Sequence, residues 1–263
     1  MRFSRKLLPF ATAAALAGWA PPSPPVNFDA LSERVEHFVL EDTALSEGEA
    51  PGSGLRGMLR GEGVRGLVEW RRRRTEGGVQ LELEVHYPGE GLRLMDVECL
   101  TERGPRLVWR EVSRAAGRTL VAEWCDDGSG LRVLEWGSDG VLRERTDARG
   151  GAVMPLYLLE LLRAERVTGG EFLVFDPLGR GLEALTARTI HFAGADGAGS
   201  TRRVDLRRED GTLAGRYTFA GESLEEFRWQ ASAVRARRID GREYAERCVR
   251  YGLEPDEETV KDL

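Results

Sequence analysis

Between residues 55 and 146 the chain alternates short runs of β-branched and aromatic residues with turn-forming residues. The runs cover 64–74, 79–87, 92–101, 106–113, 118–125, 131–136 and 141–146. They are separated by Gly77-Gly78, Pro88-Gly89, Gly104-Pro105, Gly117, Asp127-Gly128 and Asp139-Gly140. Breaks that recur about every 8–12 residues are typical of antiparallel strands joined by tight turns. The pattern therefore predicts a long antiparallel meander.

A different pattern follows in the segment GGAVMPLYLLELLRAERVTGG, residues 150–170. Pro155 suits the first turn of a helix, and apolar residues cover nearly the whole circumference of the helix predicted for 152–164. A helix that is apolar on most sides should be buried on more than one side. Further strands are predicted at 171–176, 182–192, 201–208, 212–219 and 225–236.

Two more helices are predicted near the ends of the chain. Phe28, Leu31, Val35 and Phe38 follow the spacing of a short amphipathic helix. Near the other end, Asp240 and Glu243 have the spacing of a capping box, and Gly252 can end the helix that it begins.

The expected fold is mainly β with few helices. A curved antiparallel sheet or half-barrel should carry the 152–164 helix on its concave face, with a second helix near the C-terminus. The predicted organisation is a signal peptide (1–20), a spacer with a short helix and a loop (21–54), one β-rich domain (55–253) and an acidic tail (254–263).

The N-terminus has the three parts of a secretory signal peptide. Arg2, Arg5 and Lys6 precede the apolar run 7–17, which ends in an Ala-Leu-Ala cleavage signature. The run is much shorter than the roughly 20 residues that span a bilayer, which disfavours a membrane anchor. We therefore expect an exported protein of the periplasm or the extracellular space.

Charge argues against a nucleic-acid partner. The whole chain carries a formal charge of −6, and loss of residues 1–20, with three basic residues and no acid, makes it −9. An acidic exported protein has no electrostatic attraction to a phosphate backbone.

The stretch GEGVRGLVEWRRRRTEGG, residues 61–78, contains two features that suggest other functions. A G-x-G-x-x-G dinucleotide site needs a strand before the glycines and a helix after them, whereas here a strand follows. The four arginines that come next fit the first strand of a β-hairpin. The sequence therefore favours a solvated strand face over a nucleotide or phosphate site.

Charge pairing favours one register for this hairpin. With Gly77-Gly78 as the loop, Arg73 lies opposite Glu82, Arg71 opposite Glu84, and Glu69 opposite His86. A loop at Glu76-Gly77 would instead place Glu69 directly opposite Glu84, and opposed like charges destabilise a sheet. The first register is therefore predicted.

Residues that commonly carry chemistry are few and dispersed. The three histidines, His37, His86 and His191, form no metal-binding spacing, and no serine lies in a nucleophile motif. Cys99, Cys125 and Cys248 form no CxxC pair, and Cys99 and Cys125 are predicted on strands too far apart for a disulfide. We expect no metal, no cofactor and no structural disulfide.

Tryptophans provide the one constellation that suggests a binding site. Trp70, Trp109, Trp124 and Trp136 each follow an apolar residue at the second preceding position, so both should lie on one face of the sheet. Either this face packs as core, or it presents tryptophans to an apolar ligand, with Leu158 and Leu162 of the helix completing the site.

The order of these elements resembles the periplasmic lipoprotein-carrier-like proteins, in which an open β-barrel holds lipid beneath a helix. The resemblance covers residues 55–240 and is one of architecture, because no sequence motif is shared. It implies a role in handling lipid or lipidated proteins in the cell envelope. A non-enzymatic protein that binds an apolar ligand is therefore the leading hypothesis, a ligand-free envelope scaffold is the alternative, and a hydrolase with an unrecognised site is the third.

Overall fold

The structure is a computed structural model. It describes residues 32–42, 64–76, 78–101, 104–113, 117–124, 130–147, 152–165, 169–176, 181–192, 201–229 and 234–253. The predicted signal peptide, most of the loop at 42–54, Cys125 and the acidic tail lie outside these ranges.

Fourteen described strands form one antiparallel sheet. They are β1 (Arg34–Asp42), β2 (Val64–Thr75), β3 (Gly78–Tyr87), β4 (Leu92–Thr101), β5 (Gly104–Val112), β6 (Gly117–Trp124), β7 (Leu131–Trp136), β8 (Leu142–Asp147), β9 (Gly169–Asp176), β10 (Gly181–Phe192), β11 (Thr201–Arg208), β12 (Leu213–Ala220), β13 (Ser223–Trp229) and β14 (Val234–Ile239). The mainly β class and the antiparallel meander predicted from the sequence are confirmed.

The sheet consists of two meanders that share its centre. Strands β1 to β8 follow one another in one direction, and β14 back to β9 follow in the other, because β1 pairs with both β2 and β14. Strands β8 and β9 are consequently the two edges, and the barrel is open.

The sheet curls until its two edges come near each other. Phe175 of β9 packs in one buried cluster with residues of β5, β6 and β7. The Val153 N–H donates to the Leu173 carbonyl, and the Val153 carbonyl accepts from the Phe175 N–H, so the chain before the first helix covers part of the β9 edge. Strand β8 projects beyond this contact, since residues 142–146 are exposed on both of its faces.

Two described helices pack on opposite faces of the sheet. Helix α1 (Pro155–Arg163) lies on the concave face, where its leucines join the main core. Helix α2 (Gly241–Tyr251) covers the convex face at the centre of the sheet, over Val39 and Leu67. The side chain of Asp240 accepts from the Glu243 N–H, and Gly252 is left-handed at φ 67°, so both predicted ends of α2 are confirmed.

The helix predicted over residues 28–38 is wrong where the structure describes it. Residues 34–38 belong to β1, which is hydrogen-bonded on both sides, by β2 and β14. Phe38 faces the concave core while Val39 lies under α2, so the strand is buried on both faces. A strand buried on both faces lacks polar alternation, and its apolar positions imitated a helical period.

The single strand predicted at 225–236 is also wrong. The structure forms two strands there, Ser223–Trp229 and Val234–Ile239, and they pair with each other. Because the segment returns on itself, it brings the C-terminal meander back to β1.

The β2–β3 register is the one that the charge pattern disfavoured. Thr75 lies opposite Gly78, Arg71 opposite Glu82, and Glu69 opposite Glu84. The two registers differ by two residues, so they place the same side chains on each face and hydrophobic burial does not distinguish them.

Each of the opposed carboxylates has basic side chains beside it, on its own strand and on the neighbouring strand. Arg71 forms an ion pair with Glu69, and His37 Nε2 of β1 lies 3.4 Å from Glu69 Oε2. Burial raises the pKa of Glu84, but hydrogen bonds and charge from His86 and Arg93 outweigh this effect and lower that pKa to about 2. The register was predicted from pairs between β2 and β3 alone, so side chains of β1 and β4 were not considered.

Candidate functional site

Helix α1 is held on the concave face by side chains of the sheet. Its N-cap residue, Met154, provides no side-chain cap. Instead, Glu98 of β4 accepts hydrogen bonds from the N–H groups of Leu156 and Tyr157, each at 2.7 Å. A carboxylate at this position satisfies two free donors and complements the positive end of the helix dipole.

The other end of α1 is capped by Arg202 of β11. Its guanidinium donates to the carbonyl oxygens of Leu162 at 2.6 Å and Arg163 at 3.1 Å. It also lies 4.5 Å from the centre of the Phe219 ring. Helix α1 therefore has a sheet carboxylate at its N-terminus and a sheet cation at its C-terminus, which fixes its orientation across the concave face.

Buried charges fill the space around the C-terminus of α1. We call this set the arginine–glutamate cluster: Glu36, Arg72, Glu160, Arg163 and Arg202, each no more than 7% exposed. Arg163 donates to Glu36 at 2.8 Å and lies 3.3 Å from Glu160, while Arg72 pairs with the other oxygen of Glu160. The Arg163 guanidinium also stacks 4.3 Å from the centre of the Trp70 ring.

Beside the N-terminal half of α1, the sheet and the helix leave a cavity of about 630 Å³. Most of its lining is apolar and comes from both meanders and from α1: Leu40, Trp70, Leu83, Val85, Tyr87, Leu94, Trp109, Pro155, Leu156, Leu158, Leu159, Val174, Phe175, Leu185, Leu206, Ala214, Gly215, Tyr217, Leu224, Phe227, Val234 and Ala236. The volume is within the usual range of roughly 300–1,000 Å³ for small-molecule sites.

Three acids complete the lining of the cavity: Asp96, Asp176 and Glu183. None of the lining residues in the described part of the chain is basic. Glu183 forms an ion pair with Arg208 of β11. Asp96 is 7% exposed, and its Oδ1 has no hydrogen-bond partner among the described residues.

Burial dominates the electrostatics of the two inward carboxyls on β4. It raises the pKa of Asp96 to about 7. It also raises the pKa of Glu98 well above its usual value, and Asp96 adds to this rise while the two backbone N–H groups oppose it. An acid that titrates near neutrality inside an apolar cavity is typical of a functional position.

The structure brings together only some of the predicted site residues. Trp70, Trp109 and Leu158 line the cavity. Leu162 is fully buried in the core and is not a lining residue. The side chain of Trp124 lies outside the described part of the structure.

The prediction that Trp136 shares their face is wrong. Leu131 and Val133 of β7 belong to the concave core, and Trp136 lies at odd spacing from both, so its side chain is on the opposite face of the strand. It pairs with Thr119, whose neighbour Leu120 is the buried concave residue, and Trp136 is 37% exposed. The motif of an apolar residue two before a tryptophan fixes a shared face but does not say which face it is.

Sequence reasoning missed the polar residues of the site. On β4, Asp96 and Glu98 point inward while Val97 points outward, which reverses the usual pattern of polar residues outside and apolar residues inside. The available signal was this reversal: acids at 96 and 98 share the alternation of Leu94 and Leu100, which are apolar.

The other candidate groups have structural partners. His37 stacks on Tyr244 at 4.2 Å, and His86 pairs with Glu84 at 2.6 Å. His191 lies near the exposed end of β10. Cys99 and Cys248 are free thiols. The described residues contain no group of three or more His, Cys, Asp or Glu side chains that could hold a metal ion.

Neither described helix has the length and apolar character needed to cross a bilayer. No protein-family model matches the sequence, and no curated protein matches it significantly.

Among solved structures, the chain is similar to a β-barrel-like protein of a domain of unknown function, DUF1849, from Brucella abortus. The two share 11% sequence identity with a TM-score of 0.46, over 79% of this chain and 95% of the other.

Proposed function

We propose that this protein binds an apolar ligand in the cavity between α1 and the concave face of the sheet. The observation that carries the proposal is the cavity itself, about 630 Å³ and lined mainly by aliphatic and aromatic side chains. A scaffold with no ligand has no need of such a space, because a filled core is more stable than one with a void.

The way α1 is anchored supports this function. Glu98 and Arg202 hold the two ends of the helix, and the arginine–glutamate cluster surrounds its C-terminus. These polar contacts position the helix without requiring its cavity-facing leucines to pack tightly against the sheet. The apolar surface between them can then be used for a ligand, whose burial contributes about 25 cal/mol per Å².

Dye binding with a blocked cavity tests the proposal. Ala214 lines the cavity, so Ala214→Phe should occupy part of it, whereas Ala184 on β10 is exposed and Ala184→Phe is the matched control. We expect the neutral apolar dye Nile red to become fluorescent with the natural protein and with Ala184→Phe, and to bind at least tenfold more weakly to Ala214→Phe.

Equal dye binding by both variants would contradict the proposal, provided that thermal unfolding shows both to be folded. If Ala214→Phe fails to fold, Leu158→Trp blocks the same cavity from α1. Native mass spectrometry of protein purified from its own host would then identify a natural ligand. A bare chain mass together with no dye binding would favour the scaffold.

An exported location in the cell envelope is part of the same proposal. It is supported by the N-terminal basic residues, the apolar run and the Ala-Leu-Ala signature. N-terminal sequencing of protein recovered from separated host fractions should find a chain that begins between residues 18 and 21, outside the cytosol. A chain that begins at Met1 in the cytosolic fraction would contradict export.

A further inference from the structure

The acids of the cavity carry information about the ligand that its apolar surface does not. Asp96 lies near the middle of β4, between Leu83 of β3 and Trp109 of β5, and both of these neighbours line the cavity. Asp96 is 7% exposed, and Oδ1 has no hydrogen-bond partner among the described residues. A buried carboxyl oxygen left without a partner costs free energy, so such atoms are rare unless something else satisfies them.

Comparison with the other inward acids shows that Asp96 differs from them. Glu98 accepts two backbone N–H bonds from α1, Glu36 accepts from Arg163, and Glu160 from Arg72. The second oxygens of Glu36 and Glu160 also lack a hydrogen bond among the described residues, but they lie 3.6 Å from Arg34 and 3.3 Å from Arg163. Glu183, which also lines the cavity, is paired with Arg208. Asp96 therefore offers an acceptor to the interior of the cavity that the fold has not used.

The charges of the cavity lining indicate which ligand charge the cavity favours. Among the described lining residues, the side chains that can carry charge near neutral pH are Asp96, Asp176 and Glu183, and all three are acidic. The indole Nε1 of Trp70 is a second buried lining atom without a partner among the described residues, but it is neutral. A ligand carboxylate or phosphate would meet like charge in a medium of low polarity, whereas an ammonium group would meet opposite charge and donate a hydrogen bond.

We infer that the natural ligand is an amphiphile with an aliphatic or aromatic body and a protonated amine, and that Asp96 receives the amine. The inference rests on the proposed function, because it concerns the ligand of the same cavity. Burial raises the pKa of Asp96 to about 7, so the bare carboxyl titrates near neutrality, and a neighbouring ammonium would hold it in the ionised form.

Three probes with the same chain test the inference: decylamine, decanol and decanoate, each below its aggregation concentration, measured by displacement of Nile red at pH 7.5. Decanol reports the apolar cavity alone. We expect decylamine to bind about tenfold more tightly than decanol, from one charge-assisted hydrogen bond in a buried site, and decanoate to bind more weakly than decanol.

Asp96→Asn removes the charge with almost no change of shape. It should abolish the preference for decylamine over decanol and leave decanol binding within about twofold of the natural protein. The matched control is Glu183→Gln, which removes an acid of the same cavity that is already paired with Arg208. It should retain most of the preference.

The outcomes separate the two proposals. If neither the dye nor decanol binds, the cavity is not a binding site and the proposed function fails. If decanol binds as tightly as decylamine, or decanoate binds best, the cavity binds ligands but the assignment of an amine is overturned. Equal loss of the amine preference in Asp96→Asn and Glu183→Gln would overturn the role of Asp96. If Asp96→Asn does not fold, the ranking of the three probes on the natural protein still decides the ligand class.

Discussion

The two ends of helix α1 lie in parts of the interior that are built differently. Around its C-terminus, the arginine–glutamate cluster fills the space, and each of its charges has a partner of opposite sign or a backbone carbonyl. Beside its N-terminal half, the sheet leaves a cavity whose walls are mainly apolar, and the Oδ1 of Asp96 in this cavity has no hydrogen-bond partner among the described residues.

This difference separates a structural use of buried charge from a buried acid that anchors no element of the fold. Paired charges that hold a helix end at a defined position contribute specificity of packing, although their net contribution to stability is small. A buried acid such as Asp96, whose Oδ1 has no hydrogen-bond partner among the described residues, lowers stability and holds no other element in position. The arginine–glutamate cluster therefore explains how α1 is oriented. The cavity is the space that this orientation leaves between the helix and the sheet.

The largest expected effect comes from breaking the arginine–glutamate cluster. Replacement of Arg163 with Met should lower the free energy of unfolding by about 3–5 kcal/mol, because Glu36 and Glu160 would lose a buried cationic partner. Urea denaturation measures this. Arg143→Met removes one partner of the exposed Arg143–Asp139 pair and should change the midpoint very little. Similar midpoints for the two variants would show that the cluster has no special structural role.

A smaller loss is expected from removing the C-terminal cap of α1. Arg202→Met should destabilise the protein by about 2 kcal/mol, because two buried carbonyl groups lose their donor. Arg207 is the control, since it lies on the same strand and also donates to a backbone carbonyl, that of Gly211, but at an exposed site. If Arg207→Met is as destabilising as Arg202→Met, capping of α1 is not the cause.

Removing the charge of Asp96 in the cavity should have the opposite effect and raise the free energy of unfolding. Because burial raises the pKa of Asp96 to about 7, the folded state binds more protons than the unfolded state between about pH 4 and pH 7. Stability from this group is therefore present at low pH and lost as pH rises through 7, with a slope of at most about 1.4 kcal/mol per pH unit.

Asp96→Asn cannot ionise, so it should be more stable than the natural protein at pH 8 by at least about 1 kcal/mol and should show a smaller loss of stability between pH 4 and 7. Glu98 shares the inward face of β4 with Asp96, and Asp176 and Glu183 are the other charged groups of the cavity. All three are present in both the natural protein and Asp96→Asn, so the comparison reports on Asp96. Urea denaturation at several pH values measures it. A variant less stable than the natural protein at pH 8 would show that Asp96 has a partner in the folded state.

The smallest effect is expected at the convex face. Trp136 is 37% exposed and lies away from the cavity, so Trp136→Thr should leave Nile red binding unchanged and alter stability by less than about 0.5 kcal/mol. Trp109→Leu, at a buried lining position, should weaken dye binding. Equal loss of dye binding in both variants would place the dye outside the cavity.

Local patterns predicted the strands well where turns are short and one face is buried. The runs beginning at 64, 92 and 131 match the described strands closely, because turn residues and alternation act over a few neighbours. Local patterns failed at β1, where pairing on both sides and burial on both faces removed the alternation. They also failed at the β2–β3 register, where His37 of β1 lies beside Glu69 and Arg93 of β4 pairs with Glu84.

The candidate site was predictable in part. Trp70, Trp109 and Leu158 could be identified because apolar residues with strand or helix periodicity point to a buried face. Asp96, Glu98 and Arg202 could not, since their roles depend on which strand lies opposite which part of α1. Glu98 is 58 positions from Leu156 along the chain, Arg202 is 40 from Leu162, and Asp96 Oδ1 has no hydrogen-bond partner among the described residues.

The sequence by itself determined a mainly β protein with an antiparallel meander, an apolar helix and a capped C-terminal helix, because turn chemistry, periodicity and capping are local. The tertiary structure decided that β14 returns to pair with β1, that the sheet curls until β9 meets β5–β7, and that α1 is held by charges from distant strands. It also decided that Asp96 faces a cavity and not solvent, because the inward face of a strand is set by the elements packed on it and not by the strand alone.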